Sequence, residues 1–219
     1  MTALVVGGGP SGLMAAERLV AAGHRVTVID QRRSFGRTLL LAGRSGLNLT
    51  HSERLDEFLD RYGPARSRLE PMLRAFDPES LRAWADQLGA ETFVGSSGRV
   101  FPMVQKATPL LRAWLDRLTE AGVEFRTGLA WTGFVNGGVA VVAGDGSVLE
   151  LQADRVVLAL GGGSWPRVGG DGGWIEILRD AGVECVDLAA ANAGVLVDWT
   201  PKHLVDFEGE PLKNEAVSI

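Results

Sequence analysis

An α/β fold built on a parallel sheet is predicted by three features of the chain. The first is an apolar run, a glycine turn, an amphipathic stretch and a second apolar run, all within about 30 residues, which is the pattern of a βαβ unit. The second is a set of alternating apolar runs between 130 and 152, divided by Asn136-Gly137 and by Asp145-Gly146. The third is Arg155–Leu160, a further apolar run that ends in Gly161-Gly162-Gly163.

Taken in order, Ala3–Val6 is short and β-branched and runs into Gly7, as a buried parallel strand does. Pro10 and Ser11 open a helix whose apolar positions Leu13, Met14, Ala16, Leu19 and Val20 recur at helical spacing, stopping near Gly23. Arg25–Ile29 is the second strand and Asp30 closes it; its crossover is expected to be right-handed. Ser34–Thr50 is Gly-rich without clean periodicity and reads as a long loop or broken helix. Helical stretches follow at Ser52–Tyr62, Arg66–Phe76 and Pro78–Leu88, with Thr50 or Ser52 capping the first. Glu91–Val94 and Arg99–Phe101 are short strands around a Gly-Ser-Ser-Gly turn. Thr108 and Pro109 are expected to cap a helix reaching Glu120, and Glu124–Thr127 to be a third parallel strand. Asn-Gly and Asp-Gly are strong hairpin signals, so 130–152 is an antiparallel meander. Asp171–Ala181 reads as a helix and Glu184–Asp187 as a strand; after Asn192 the pattern weakens.

Bulk properties narrow the function classes. At 219 residues, with 46% hydrophobic and 22% charged, the chain is an ordinary globular one that needs no disulfides or metals to hold a core. The net charge of −5 argues against a nucleic-acid partner. No apolar run approaches the ~20 residues of a membrane span, and no signal-peptide pattern opens the chain. The single cysteine, Cys185, fits a reducing compartment and reads as a small buried hydrophobe. A cytoplasmic location is expected, with no membrane partner.

Gly7-Gly8-Gly9-Pro10-Ser11-Gly12 supplies Gly-x-Gly-x-x-Gly between a strand and a helix. Gly7 makes the tight turn, Gly9 lets backbone approach a diphosphate, and Gly12 lets the helix pack on the sheet. Unpaired N–H groups at the helix start hold the negative charge. Asp30 lies roughly 20 residues further on, where a carboxylate accepts bonds from ribose hydroxyls. That carboxylate repels a 2′-phosphate, against which stand Arg32 and Arg33. The meander and the strand ending at Gly161 and Gly162 favour FAD over NAD, by analogy with FAD domains in which a meander covers the sheet. The fold class is therefore a Rossmann-like FAD-binding domain with a parallel central sheet, a β-meander and an inserted helical segment.

Several segments together carry a family resemblance: the loop Gly7–Gly12, the stretch from Gly36 to His51, Gly95–Pro102, Ala159–Pro166 and Gly170–Gly172. With them the chain resembles the BaiN/YhiN-type flavoproteins, FAD-binding oxidoreductases with a substrate-side domain inserted into the FAD domain. The resemblance implies that Gly36–Thr50 runs beside the cofactor, with Arg37, Arg44 and Asn48 contacting diphosphate or flavin. The cofactor set expected on motif and resemblance together adds Gln31, Gly161, Gly162 and Asp171. Relatives often carry lysine where Thr38 and Arg44 stand here, and Lys-Glu-Met-Lys near Met103–Lys106. They run to about twice this length, so the chain reads as a fragment or a shortened form, and weak FAD retention is expected. Residues 1–190 are then the FAD-binding domain, with a helical insertion at about 52–122, and 191–219 begin a truncated second domain.

His51 is either a proton relay or a surface residue beside a helix cap, the latter preferred. Arg99, with Ser97 beside it, either grips an anionic substrate or stabilises its turn. Trp84 and Trp114 read as core, Trp165 and Trp174 as better placed to line a site, and Asp171 as a helix cap or a cofactor-facing group. The histidines and Cys185 show no metal-ligand spacing, and no Gly-x-Ser-x-Gly elbow occurs. The function expected is hydride or electron transfer through FAD to an unidentified small molecule, with NAD(P)H as a transient donor. The alternatives are a module that binds the ADP moiety without turnover and an NAD-dependent dehydrogenase. No catalytic acid or base is assigned.

Overall fold

A computed structural model of the chain describes residues 1–44, 46–189, 198 and 201–202. The chain divides into two units, 1–186 and 187–219, and the first holds the sheets. Its central sheet has four parallel strands in the order β10-β1-β2-β6, with β1 at Thr2–Val6, β2 at Arg25–Asp30, β6 at Glu124–Thr127 and β10 at Arg155–Leu158. The register sets Ala3 opposite Arg155 and Val26, and Thr27 opposite Glu124.

Alternation along β1 divides the core in two. Ala3 and Val5 face one side together with Val26 and Val28 of β2, and helix α1, Pro10–Ala21, buries Leu13 and Ala16 against them. Leu4, Val6 and Ile29 face the other side, where they meet Trp131, Val139 and Val141. Leu13 has no exposed surface, and full burial of such a side chain contributes roughly 2 kcal/mol.

The second face is covered by the expected meander, β7 at Leu129–Val135, β8 at Gly138–Ala143 and β9 at Val148–Gln152, in the order β7-β8-β9. The Asp145-Gly146 turn is closed by the Asp145 carboxylate, which accepts from the backbone amide and hydroxyl of Ser147. Helix α7, Trp174–Asp180, joins this side through Trp174, Ile177 and Leu178.

Between β2 and β6 lie α2 (Arg37–Ala42), β3 (Thr50–His51), α3 (Leu55–Asp60), α4 (Arg66–Ala75), α5 (Pro78–Gln87), β4 (Thr92–Val94), β5 (Arg99–Pro102) and α6 (Ala107–Glu120). Helix α6 serves as the crossover helix, burying Leu110, Leu111, Trp114 and Leu118 in the same core as α1. As expected, Trp84 and Trp114 are core residues. Their rings meet edge to face at 4.7 Å, and both indole N–H groups donate to Glu17 on α1, at 3.1 and 2.5 Å. Arg117 donates to the other Glu17 oxygen at 2.6 Å.

Several expectations need correction. The unpatterned stretch 34–50 contains a helix, α2, and a strand, β3. No Thr50 or Ser52 cap forms: Thr50 and His51 pair with Val100 and Arg99, the Ser52 amide donates to Gly98, and the helix starts only at Leu55. Thr108 and Pro109 lie inside α6, whose N-cap position is Lys106 without a side-chain cap. Strand β10 ends at Leu158. Helix α7 starts at Trp174 because Asp171 first turns the chain by accepting from the Gly173 amide at 3.0 Å. Glu184–Asp187 is not a strand; Val186 is 88% exposed, and among the described residues none pairs with it in a ladder. Cys185 is half-buried rather than buried. The proposed second domain, 191–219, lies outside the described residues save Asp198, Pro201 and Lys202.

Candidate cofactor site

Strand β1 is where the sheet changes direction: β2 and β6 follow on one side and β10 flanks the other. The loops that leave β1 and β10 therefore part, opening a crevice beyond the strand ends, which is where open α/β sheets bind ligands. Backbone fit brings the two loops together. Gly7 has φ +106°, its amide donates to Ile29 at 2.8 Å, and a Cβ there would lie 2.3 Å from the Ala159 carbonyl oxygen. A Cβ on Gly12 would lie 1.8 Å from the Gly7 oxygen, so only glycine lets α1 sit this close to the turn. Gly8 is pressed by Phe35, and its carbonyl accepts from the Gly36 amide at 2.8 Å.

Gly9 differs from these. A Cβ there would meet only the Thr38 hydroxyl, at 3.6 Å, so the space above it is open. Gly9 is the N-cap position of α1, with no side-chain cap and no acidic residue in the first turn. Among the described residues, the amides of Ser11 and Gly12 and the positive end of the helix dipole have no anionic partner. Pro10, which has no N–H, fits the first helical position.

Asp30 sits at the mouth of this turn. One carboxylate oxygen accepts from the Gly8 amide at 2.8 Å and the other from the Arg32 amide at 2.7 Å. Each oxygen keeps lone pairs for a further donor. Gln31 and Arg32 point across the crevice, donating to the carbonyls of Gly169 at 3.0 Å and Pro166 at 3.2 Å. These contacts enclose a cavity of about 490 Å³, within the roughly 300–1,000 Å³ range of small-molecule sites.

Of the residues singled out in the sequence, Gly7, Gly9, Asp30, Gln31, Arg37, Gly161, Gly162 and Asp171 line this one cavity, and Trp165 and Trp174 line it as well. Pro10, Ser11 and Gly12 form the first turn of α1 behind it. Arg44 and Asn48 are not on its wall, nor are His51, Ser97 and Arg99. The His51 ring accepts from the Glu53 amide through Nδ1 at 3.2 Å, and its Nε2 meets the Ser97 carbonyl oxygen at 3.0 Å. Beside it, the Glu53 carboxyl is held below the usual carboxylate range, chiefly by a hydrogen bond from Arg61.

Sequence reasoning missed Trp131, Ser34 and Gly169 as cavity residues, while Thr38 lies in the stretch expected beside the cofactor. Trp131 gave an inward-facing signal in the meander, but nothing in its spacing sets it over the crevice. Among the described residues, four buried side-chain polar atoms have no hydrogen-bond partner. Three of them, Arg32 Nε, Trp131 Nε1 and Trp174 Nε1, belong to residues of this cavity. The uncapped helix start and the open space over Gly9 fit an anionic ligand.

The model of HI0933-like protein Rossmann domains matches residues 1–201. The chain belongs to this family. It is the BaiN/YhiN-type flavoprotein family to which the sequence motifs pointed, and its Rossmann fold is the one the sheet displays. The chain is 27% identical over 190 residues to a 3-dehydro-bile acid delta(4,6)-reductase of Clostridium scindens, covering 81% of this chain and 43% of that one. It is 32% identical over 166 residues to protein FixC of Salmonella typhi, covering 73% and 36%. This HI0933-like domain thus spans less than half the length of the curated relatives it matches. In fold it is similar to a 3-ketosteroid-delta4-(5alpha)-dehydrogenase from Rhodococcus jostii RHA1, with TM-score 0.61 at 15% identity over 83% of this chain and 54% of that one. Among the described residues, no helix is long and apolar enough to cross a membrane.

Proposed function

We propose that the chain is the FAD-binding part of a flavoprotein oxidoreductase and holds the ADP half of FAD in the cavity at the end of β1. The observation that carries this reading is the meeting, around one cavity, of the uncapped start of α1, the Asp30 carboxylate and the glycine turn after β10. Family membership and the reductase name of one relative support the redox assignment.

In this reading the amides of Ser11 and Gly12 bind the diphosphate, and Gly9 leaves room for it. Arg37, at the first turn of α2 and on the cavity wall, adds positive charge beside it. Asp30, oriented by two backbone amides, accepts from the ribose hydroxyls and disfavours a 2′-phosphate. Gln31, Gly161, Gly162 and Asp171 complete the wall together with Trp165 and Trp174. FAD, when bound, supplies hydride or electron transfer to a small-molecule substrate; the protein supplies binding, orientation and electrostatics. In this reading NAD(P)H serves as a transient electron donor.

Titrating the purified chain with FAD, ADP and NAD, followed by tryptophan quenching and flavin absorbance, tests the reading. FAD and ADP should compete for one site, NAD should bind more weakly, and bound flavin should bleach with dithionite. NAD binding that excludes FAD would overturn it.

A further inference from the structure

The segment after β10 does more than touch the cavity. Trp165 and Gly170 pair as an antiparallel bridge, each amide donating to the other's carbonyl at 3.0 Å, and Pro166–Val168 make a tight turn between them. This hairpin lines the same cavity as the Gly7–Gly9 turn. Two side chains tie it to the end of β2: Gln31 Nε2 to the Gly169 oxygen and Arg32 Nη2 to the Pro166 oxygen. The tie is close-fitting. A Cβ on Gly169, where φ is +102°, would lie 2.8 Å from Gln31 Nε2 and 3.2 Å from Arg32 Nε. A glycine-rich stretch loses more conformational freedom on ordering than others, so these few bonds decide whether it stays in place.

We propose that the Ser164–Gly170 hairpin is a clasp over the nucleotide end of the cavity, and that Gln31 and Arg32 are its latches, positioning residues that slow release of the ADP moiety. The inference rests on the reading of the cavity as the FAD site. It assigns Arg32 a role other than phosphate recognition: its guanidinium is turned to the hairpin, while its backbone amide serves Asp30. Replacing the side chain therefore spares the Asp30 contact.

The test uses the full chain and three variants, Gln31→Ala, Arg32→Ala and Gly169→Ala, the last of which changes no charge. FAD release is followed by recovery of flavin fluorescence after chase with excess ADP. In parallel, amide hydrogen exchange is measured on the FAD-free protein. The off-rate should rise about fivefold for Gln31→Ala and about tenfold for Arg32→Ala, as expected for loss of a neutral and a charge-assisted hydrogen bond. It should rise for Gly169→Ala as well. Exchange at Trp165 and Gly170 should quicken in all three variants, with β1 and α1 unchanged. Unchanged off-rates overturn the proposal whatever the exchange pattern, and so do faster off-rates with the hairpin still protected. If the unaltered chain binds neither FAD nor ADP, the reading of the cavity itself fails and takes the clasp with it.

Discussion

Gly9 and Gly12 stand three residues apart in one motif, yet the structure gives them separable tasks. Replacing each with alanine should separate binding from folding. A methyl on Gly12 would lie 1.8 Å from the Gly7 oxygen, 3.0 Å from the Gly7 carbonyl carbon and 3.3 Å from the Ala159 Cβ. Two of those atoms are backbone, held by the Gly7 amide bond to Ile29, so α1 itself must move off the sheet. Overpacking of this kind costs about 1–3 kcal/mol, and backbone contact puts Gly12→Ala at the upper end. With a urea m-value of about 1–3 kcal/mol/M, the midpoint should fall by roughly 1 M. A methyl on Gly9 meets only the Thr38 hydroxyl at 3.6 Å, and the loss of a glycine N-cap costs within about 1 kcal/mol. Gly9→Ala should therefore unfold close to the unaltered midpoint. It should nonetheless bind FAD and ADP at least about tenfold more weakly, a loss near 1.4 kcal/mol, because the methyl fills the approach of the diphosphate. Urea unfolding followed by tryptophan fluorescence and a calorimetric ADP titration measure the two effects. Full ADP affinity in a folded Gly9→Ala protein would refute the placement of the diphosphate, and an unshifted midpoint in Gly12→Ala would refute the steric argument.

Asp30→Asn must turn its amide N–H₂ toward either the Gly8 or the Arg32 amide, so it should lose about 1–3 kcal/mol of stability and weaken ADP binding at least about tenfold by calorimetry. Glu17→Ala strands two indole N–H groups and Arg117 between α1 and the inserted helices, and the urea midpoint should report a loss of about 2–4 kcal/mol. Asp77, Asp145 and Asp154 have carboxyls held below the usual range, chiefly by the Ser80 amide, the Ser147 hydroxyl and the Thr2 amide respectively. The unfolded chain binds more protons at these groups, so their stabilisation is present above about pH 4 and drains as pH falls through the lower folded values. Urea midpoints equal at pH 7 and pH 3 would contradict this. Gly43→Ala sets a Cβ 2.7 Å from the Ala107 Cβ, so it should destabilise by about 1–3 kcal/mol. Combining it with Ala107→Gly should recover at least about 0.5 kcal/mol relative to additivity in a double-mutant cycle.

Local signals made the sheet legible. Strong β-branched runs bounded by glycine fixed β1, β2 and the meander, because burial on both faces or alternation across one leaves a periodic trace. The glycine motif and Asp30 were legible for the same reason: the chemistry needs fixed residue types at fixed spacing. Segments shaped by distant contacts were harder to read. Residues 34–50 carry no periodicity because α2 is only six residues long with none of them buried, and β3 exists only through its pairing with β5. Glu184–Asp187 has the composition of a strand but forms none, and propensity alone does not make a ladder. Gln31 and Arg32 follow Asp30 directly in the sequence. Their partners at Gly169 and Pro166 lie more than a hundred positions on, and no short-range rule connects them.

The glycines on either side of α2 are needed for packing. In the sequence, Gly36 and Gly43 belong to the stretch that the family resemblance sets beside the cofactor. In the structure a Cβ on Gly36 would lie 2.5 Å from the Leu111 methyls, and one on Gly43 would lie 2.7 Å from Ala107. Both are therefore required by close packing on α6, whatever lies in the cavity. The consequence reaches the site all the same. Arg37 and Thr38 line the cavity from the first turn of α2, and α2 is held from behind by α6, which is fixed to α1 through the Glu17 network. The inserted helices thus bear on the nucleotide site without touching it, by setting how far α2 stands from the mouth of the glycine turn. Only six residues long, α2 takes its place from this packing, with Leu39 and Leu40 half-buried against the same core.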